Sequence, residues 1–350
     1  YSMGNLIGFL IILGGAFQPR KQYITVPPSI DNPPGWDYNP SSWPQRIPII
    51  SLAFLGFFIA RYMAAFQLDH MGSVWDPIFG DQTETILKSD ISKAFPISDA
   101  GLGAFSYILD AISGLIGDRN RWRTMPWMVI LFGLMIIAPG VTSIALVILQ
   151  PVAVNAWCFL CLLTALIMLL MVAPAIDEIV ATVQFMRMSL KEGKPFWRTF
   201  LHGEAISDIE INAVPSVEIR RLPKKLKLNI PISLVASLIL STSLMFSPAF
   251  FSMEKSISNL IYFSSALLFT FGMIAISEIA RPVRYLNILI SMVLAISIWF
   301  SDGMGFEANV VVTLISLCIT ALSLPKGKFR HHFGSYDKVA RWSPVAEGVS

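Results

Sequence analysis

The sequence contains little charge and little cysteine. Only 14% of its 350 residues are charged, whereas about a quarter is usual in a soluble globular domain. Together with a hydrophobic share of 54%, this shortage excludes an ordinary soluble domain and indicates a membrane protein. Three cysteines are also too few for a scaffold that is stapled by disulfides.

Apolar runs recur along the chain at the length needed to cross about 30 Å of hydrocarbon. They predict an all-α polytopic membrane protein whose apolar stretch 3–17 is either a further span or an interfacial helix. The eight expected spans are 48–67, 100–117, 125–149, 155–175, 230–250, 257–277, 284–300 and 308–324.

The spans and the polar stretches between them predict two membrane regions of four helices. In the second region, LNIPIS at 228–233 and LNILIS at 286–291 each begin a hairpin of spans, which is a weak internal repeat. The expected divisions are an apolar stub with a Pro-rich cytoplasmic lead-in (1–47), a four-helix bundle (48–185), a basic cytoplasmic linker (186–227), a four-helix region of two hairpins (228–324) and a cytoplasmic tail (325–350).

The positions of the basic residues predict the orientation in the membrane. The loops 117–124, 184–229, 278–284 and 325–341 are all basic, and cytoplasmic loops are enriched in Lys and Arg. The short loops on the other side contain Lys255 as their single basic residue. Both ends of the chain are therefore expected in the cytoplasm, and we expect the basic stretch 220–227 to meet anionic lipid rather than nucleic acid.

The sequence NAWCFLCLL contains a Cys-x-x-Cys pair, Cys158 and Cys161, at the outer start of the fourth span. Residues at i and i+3 lie on one face of a helix, close enough for a disulfide after modest adjustment. A helix N-terminus also stabilises a thiolate, the reactive form of cysteine. The pair is therefore either a redox-active dithiol or two packing residues. His70 is the one histidine near that face, so no metal site is expected, and Cys318 is read as a packing residue.

The segments WCFLCLLTA (157–165) and ILKSDISKAFPISDAGLGAFSY (86–107) resemble the bacterial vitamin K epoxide reductase family over about 48–185. Ser89, Pro96, Gly101 and Tyr107 fall at corresponding places in the second segment. The resemblance implies a four-helix bundle of the bacterial inner membrane that binds a quinone, either ubiquinone or menaquinone, beside the Cys-x-x-Cys pair. It also implies that the second cysteine of the pair attacks the quinone and that the first exchanges with a thioredoxin-like dithiol partner.

The outer loop departs from that family, whose members usually carry a second cysteine pair there. The loop DHMGSVWDPIFGDQTETILKSD contains no cysteine, and Thr83 stands at the second position. Two interpretations follow: a quinone-linked thiol–disulfide oxidoreductase, or a catalytically retired membrane module for assembly or partner binding. A small-solute transporter has no broken helix pair in its favour.

The second half resembles a membrane repeat named for its Ser-Pro-Trp signature. The resemblance rests on FSP at 246–248 and HFGSYDKVARW at 332–342, although Ala249 stands where the repeat has its tryptophan.

Three residues are predicted to contact the quinone: Ser89 and Tyr107, each near the outer end of the bundle, and Trp157, which also suits an aromatic belt. Tyr107 is expected either to hydrogen-bond a quinone carbonyl or to pack. Two charged residues lie within spans, Arg61 and Asp110. Arg61 either extends to the interface or pairs with Asp110, and Asp110 either pairs with a basic neighbour or donates a proton to reduced quinone. Asp177 and Glu178, just beyond the fourth span, are expected at the membrane interface.

Overall fold

A computed structural model describes residues 31–93, 97–205, 230–301 and 303–343. The predicted stub at 3–17, the basic stretch 220–227, Pro96 and the last seven residues of the tail lie outside the described residues. The described chain is helical and has no β-strand beyond two isolated bridges. Its α-helices are α1 (Trp43–Gln67), α2 (Gln82–Lys88), α3 (Asp99–Leu115), α4 (Arg121–Thr124), α5 (Pro126–Leu149), α6 (Phe159–Lys191), α7 (Phe196–His202), α8 (Ile232–Phe246), α9 (Lys255–Ile274), α10 (Leu286–Ser297), α11 (Phe306–Ser323) and α12 (Asp337–Ala340).

Helices α1, α3, α5, α6 and α8 to α11 lie at the eight predicted spans. Among the described residues, seven helices have the length and the apolar composition to cross a membrane. The eighth, α3, has 17 residues, which is at the short end of the range of about 17–25 for a spanning helix. The chain is thus an all-α polytopic membrane protein.

The fourth span is much longer than the sequence predicts. We expected it to end near Ala175, but α6 continues to Lys191 over 33 residues, which is about 50 Å at 1.5 Å per residue. Pro174 lies inside this helix and does not end it. The far half of α6 is buried by the segments before α1 and after α11. This packing stabilises the helix beyond the first charged residues, where the apolar composition of the span ends.

Helices α1, α3, α5 and α6 form the first bundle, with α1 packed closely on α3 and α5 on α6. Small residues allow these close approaches. A Cβ on Gly56 of α1 would lie 2.5 Å from the Tyr107 ring, and one on Gly133 of α5 would lie 2.3 Å from Ile179. These glycines bring the helix backbones together around a core that contains Ala53, Phe132 and Met171.

Helices α8 to α11 form the second bundle as two hairpins, α8–α9 and α10–α11. Each helix packs on its hairpin partner and on a helix of the other hairpin, around the buried side chains of Leu244, Ile261, Leu294 and Val312. The hairpins correspond in detail, because α8 and α10 both end in a short 3₁₀ turn. The second bundle lies against the first mainly through α9 and α6.

The segments before α1 and after α11 fold against each other at the end of the molecule that carries Arg46, Arg121 and Arg281, which we call the basic end. Trp36 forms an isolated antiparallel bridge with Phe333, and their rings are 5.2 Å apart, edge to face. The Trp36 indole N–H donates to Gln184 of α6 over 3.1 Å. The predicted polar lead-in and tail therefore form a packed cap on the bundle.

Asp177 and Glu178 were expected at the membrane interface, and in the structure both carboxylates have partners inside the protein. Glu178 is 1% exposed and receives two hydrogen bonds from the Arg121 guanidinium, at 2.6 and 2.5 Å. Asp177 accepts from the hydroxyls of Tyr38 at 2.8 Å and Ser277 at 2.7 Å. Asp177 therefore joins the lead-in to the second bundle.

The cap contains an ion pair whose strength depends on pH. His331 Nδ1 lies 3.2 Å from the Asp37 carboxylate, and this hydrogen bond raises the pKa of His331 against the opposing effect of burial. Burial alone would raise the pKa of Asp37, but the hydrogen bond and charge of His331, together with backbone N–H groups of Asp37 and His332, outweigh it and leave that pKa lowered. The His331 contribution is complete below its unfolded pKa of about 6.5 and is lost as pH rises through its folded pKa. The Asp37 contribution is present above its unfolded pKa of about 3.9 and is lost as pH falls through its folded pKa.

The cap should therefore be most stable between about pH 4 and 6.5. We expect His331→Gln to lower the thermal midpoint at about pH 6 and to leave it nearly unchanged at a pH above the folded pKa of His331, where the imidazole has lost its charge. The measurement is the unfolding midpoint of detergent-solubilised protein against pH, with His202→Gln on the exposed end of α7 as the control. Equal losses at both pH values would contradict the assignment.

Candidate functional site

The two cysteines of the Cys-x-x-Cys pair form a disulfide at the start of α6. Cys158 is the residue before the first helical position, and its Cα lies 5.3 Å from that of Cys161. The Cys161 backbone N–H points to Cys158 Sγ over 3.0 Å. The helix N-terminus predicted from the sequence is therefore centred on the Cys158 sulfur, which is where a thiolate would be stabilised.

Residues 76–83 of the outer loop lie over this helix end, and we call them the cover. The Thr83 hydroxyl accepts the Phe159 N–H at 3.2 Å, and Gln82 Oε1 accepts the Trp157 N–H at 2.9 Å. Thr83 is itself fully buried and donates to the Asp76 carboxylate. Cys158 is 0% exposed beneath this cover. Thr83, which the family resemblance places at the second loop-cysteine position, thus lies on the N-terminus of α6 and carries a hydroxyl there.

The carboxylate of Asp76 organises the turn that forms the cover. It accepts the backbone N–H groups of Ile78 at 2.9 Å and Phe79 at 2.8 Å as well as the Thr83 hydroxyl. Burial raises the pKa of Asp76, but these hydrogen bonds outweigh it and leave that pKa below its usual value. The cover is therefore built around a carboxylate that is charged at neutral pH.

A cavity lies on the other side of the disulfide, inside the first bundle. It measures about 100 Å³, several times the roughly 10–15 Å³ that one water needs on the same measure. All four helices of the bundle and the outer loop contribute to its walls. The lining residues that matter for a ligand are Met63, Ser89, Gly103, Tyr107, Ser143, Leu146, Gln150, Val154, Cys161 and Thr164.

Cys161, Tyr107 and Ser89, all predicted from the sequence, share this cavity. Cys161 Sγ is 3.8 Å from Met63 Sδ. The Tyr107 hydroxyl donates to the Thr164 carbonyl over 2.7 Å, which fixes the ring across the bundle. The Ser89 hydroxyl donates to the Ile86 carbonyl over 2.7 Å at the end of α2. The structure thus brings one sulfur of the pair and two predicted contact residues to a single cavity.

Trp157, the third residue predicted to contact a quinone, lies outside the cavity lining. Its ring packs against Phe246 at 5.2 Å and Tyr262 at 5.6 Å, both from the second bundle. The side chain before Cys158 therefore faces away from the bundle interior.

Arg61 and Asp110 form no ion pair with each other in the described part of the chain. Arg61 is exposed on the bundle surface, while Asp110 is 0% exposed and its carboxylate oxygens have no hydrogen-bond partner. Asp110 lies one helical turn beyond Tyr107, towards the basic end. Among the residues that the structure describes, no basic side chain pairs with Asp110.

Sequence reasoning missed five polar residues that line the cavity: Ser92, Asp99, Ser143, Gln150 and Thr164. Gln150 lines the cavity and also accepts the Cys158 N–H at 3.0 Å. Its signal was present, because a glutamine at the end of an apolar span before a proline is an unusual polar residue at membrane depth. Ser143 and Thr164 carry no such signal, since small hydroxyl residues are common between packed membrane helices.

Comparison with known proteins connects this site to one family. A sequence model of the Vitamin K epoxide reductase family matches residues 47–176, which contain the disulfide, the outer loop and the cavity. This agrees with the resemblance found over 48–185. No curated protein and no solved structure matches the chain. The comparisons provide no support for the Ser-Pro-Trp repeat in the second bundle.

Proposed function

We propose that this chain is a quinone-linked thiol–disulfide oxidoreductase of a membrane. The observation that carries the proposal is the Cys158–Cys161 disulfide, which has Cys161 on the wall of a cavity inside a bundle that matches the Vitamin K epoxide reductase family. A buried disulfide with only a packing role would not require a cavity lined by hydroxyls next to one sulfur.

The residues of the cavity fit a quinone head group. Such a ring is flat and apolar, with oxygen acceptors on opposite edges. Met63, Leu146 and Val154 supply apolar walls and Ser143 supplies a hydroxyl donor, while Tyr107 lines the cavity with its hydroxyl already bound to the Thr164 carbonyl. When bound there, a quinone of the ubiquinone or menaquinone type would supply the two-electron oxidant that restores the disulfide.

The thiol side of the reaction is an exchange between two dithiol–disulfide pairs. A partner dithiol loses two electrons and two protons and becomes a disulfide, while the Cys158–Cys161 disulfide takes up both and becomes two thiols. The attacking thiolate must reach a sulfur. Because Cys158 lies under the cover and Thr83 cannot relay electrons, the partner has to bring its own cysteine to Cys158. We propose a thioredoxin-like protein or domain as this partner.

Cys161 is then the cysteine released towards the cavity. Its sulfur lies on the cavity wall, and its backbone N–H is within the first turn of α6, where the helix dipole favours a thiolate. The two cysteines thus divide the work: Cys158 faces the partner, and Cys161 faces the quinone site.

The same structure suits one other function, a membrane module that has lost catalysis. Thr83 favours it, because its hydroxyl occupies the relay position and seals the helix end with a hydrogen bond. The two functions differ in whether the disulfide is reduced and reoxidised.

We further propose that the protein resides in a bacterial inner membrane with both ends in the cytoplasm. The support is the charge distribution: the basic end carries Arg46, Arg121 and Arg281, and the cysteines lie at the opposite end. The disulfide would then face an oxidising compartment, where such bonds persist.

The occupancy of the cavity tests the quinone site. Gly103 lines the cavity, and a Cβ there would lie 3.8 Å from Ala60, its nearest neighbour, so a larger side chain fills the space. We expect wild-type protein purified from quinone-containing vesicles to retain quinone, and Gly103→Leu to lose most of it. Ser106→Leu, on the same helix but outside the lining, is the matched control. Equal quinone content in Gly103→Leu and wild type, both folded, would contradict the cavity as the binding site.

A further inference from the structure

The second bundle contacts the first bundle near the Cys158–Cys161 disulfide through an aromatic cluster. Phe246, at the end of α8, lies 5.2 Å from Trp157 and 6.3 Å from Phe79, ring centre to ring centre. Tyr262 of α9 lies 5.6 Å from Trp157. We call Phe79, Trp157, Phe246 and Tyr262 the aromatic cluster. It joins the outer loop, the residue before Cys158 and the second bundle.

Phe79 connects this cluster to the cover over Cys158. Its backbone N–H is held by Asp76, the carboxylate that also accepts the Thr83 hydroxyl. The Phe79 ring is stacked on Phe246 and on Trp157, with interplanar angles of 24° and 25°. A movement of the cover away from the helix end therefore has to separate Phe79 from Phe246.

From this geometry we infer that Phe246 is a positioning residue for thiol exchange, an inference that rests on the proposed function. Through the Phe246 ring, the second bundle holds the cover closed over Cys158. Cys158 is 0% exposed while the cover is closed. Attack on Cys158 Sγ by an outside thiol therefore requires the cover to open, and the Phe79–Phe246 stack adds to the cost of opening. This assigns to the second bundle control of access to the disulfide.

The rate of disulfide reduction by a soluble dithiol tests this inference without quinone or partner. Dithiothreitol loses two electrons and two protons and forms its cyclic disulfide, while Cys158 and Cys161 become thiols that are trapped by alkylation and counted by mass. We expect Phe246→Ala to speed this reduction about two- to tenfold, the range that the loss of one aromatic pair predicts. Phe246→Tyr keeps the ring and should react at the wild-type rate.

Phe306→Ala is the matched control, because Phe306 pairs with Trp299 at 6.2 Å within the second bundle and does not belong to the aromatic cluster. Its reduction rate should equal that of wild type, as should the alkylation rate of exposed Cys318 in every variant. If Phe246→Ala does not fold, Phe79→Leu tests the same contact from the loop. A wild-type reduction rate in a folded Phe246→Ala or Phe79→Leu protein would overturn the inference.

Separate measurements test the control of access by Phe246 and the quinone-linked activity. Faster reduction in Phe246→Ala, with no reoxidation of the wild-type pair by quinone, would keep the control of access and remove the oxidoreductase. Quinone-driven reoxidation with an unchanged Phe246→Ala rate would do the reverse.

Discussion

Replacing Cys161 with alanine is expected to reduce dithiol-driven quinone reduction to the uncatalysed background. The disulfide is the one group in the site that can take two electrons from a dithiol, and Cys161 is its sulfur on the cavity wall. Without it, Cys158 can at most form a mixed disulfide with a thiol and pass no electrons onward. The measurement is the absorbance change of a soluble quinone in the presence of dithiothreitol.

Cys318→Ala is the matched control, because Cys318 is an exposed free cysteine in the second bundle. Its turnover should equal that of wild type. Undiminished turnover in Cys161→Ala would exclude the disulfide from the reaction and favour the retired module.

Replacing Glu178 with alanine is expected to destabilise the first bundle by about 3–5 kcal/mol. The change leaves the Arg121 guanidinium, 0% exposed, without its two hydrogen bonds to the carboxylate. It also removes the acceptor of the Ser41 hydroxyl at 2.5 Å. A buried charge that has lost its partner costs much more than the pair contributes, because its hydration is not restored. The measurement is denaturant unfolding in detergent, followed by tryptophan fluorescence.

Two further variants separate the loss of pairing from the loss of side-chain volume. Arg119→Ala breaks the exposed pair of Arg119 and Asp31, whose side chains are 63% and 38% exposed, and should cost at most about 1 kcal/mol. The double variant Arg121→Met with Glu178→Leu removes both charges and should recover much of the stability lost in Glu178→Ala. A Glu178→Ala cost as small as that of Arg119→Ala would show that the buried pair contributes little.

The spans could be predicted from sequence because the membrane leaves few alternatives. A backbone in hydrocarbon must satisfy its own hydrogen bonds, so an apolar run of sufficient length becomes a helix. The end of α6 could not be predicted in this way. Beyond Ala175 the sequence becomes polar, and the helix continues because its far half is buried by the cap.

The cap itself was beyond prediction for a different reason. Trp36 and Phe333 are almost the whole chain apart, and each stands alone in a polar stretch, so no local pattern indicates that they meet. Likewise, Asp177 and Glu178 were predicted to be interfacial because they follow the fourth span, and no local pattern indicates their partners Tyr38 and Arg121, which come from distant segments.

Of the three residues predicted to contact the quinone, the two that are distant from the cysteines in sequence line the cavity, and the one adjacent to Cys158 does not. Tyr107 and Ser89 were identified through the family resemblance and line the cavity. Trp157 was chosen because it precedes Cys158. It lies before the start of α6, however, and its ring packs against the second bundle. The position of Thr83 on the helix end also required the structure, because no spacing rule places a loop residue on a particular backbone N–H.

The redox cycle of Cys158 and Cys161 in purified wild-type membranes tests the central claim most directly. The pair is first reduced with a dithiol, the dithiol is removed without exposure to air, and the free thiols are alkylated with or without added quinone. The account predicts that both thiols stay free without quinone and that the disulfide re-forms when quinone is added. Thiols that stay free in the presence of quinone would contradict it and identify the pair as the remnant of a retired active site.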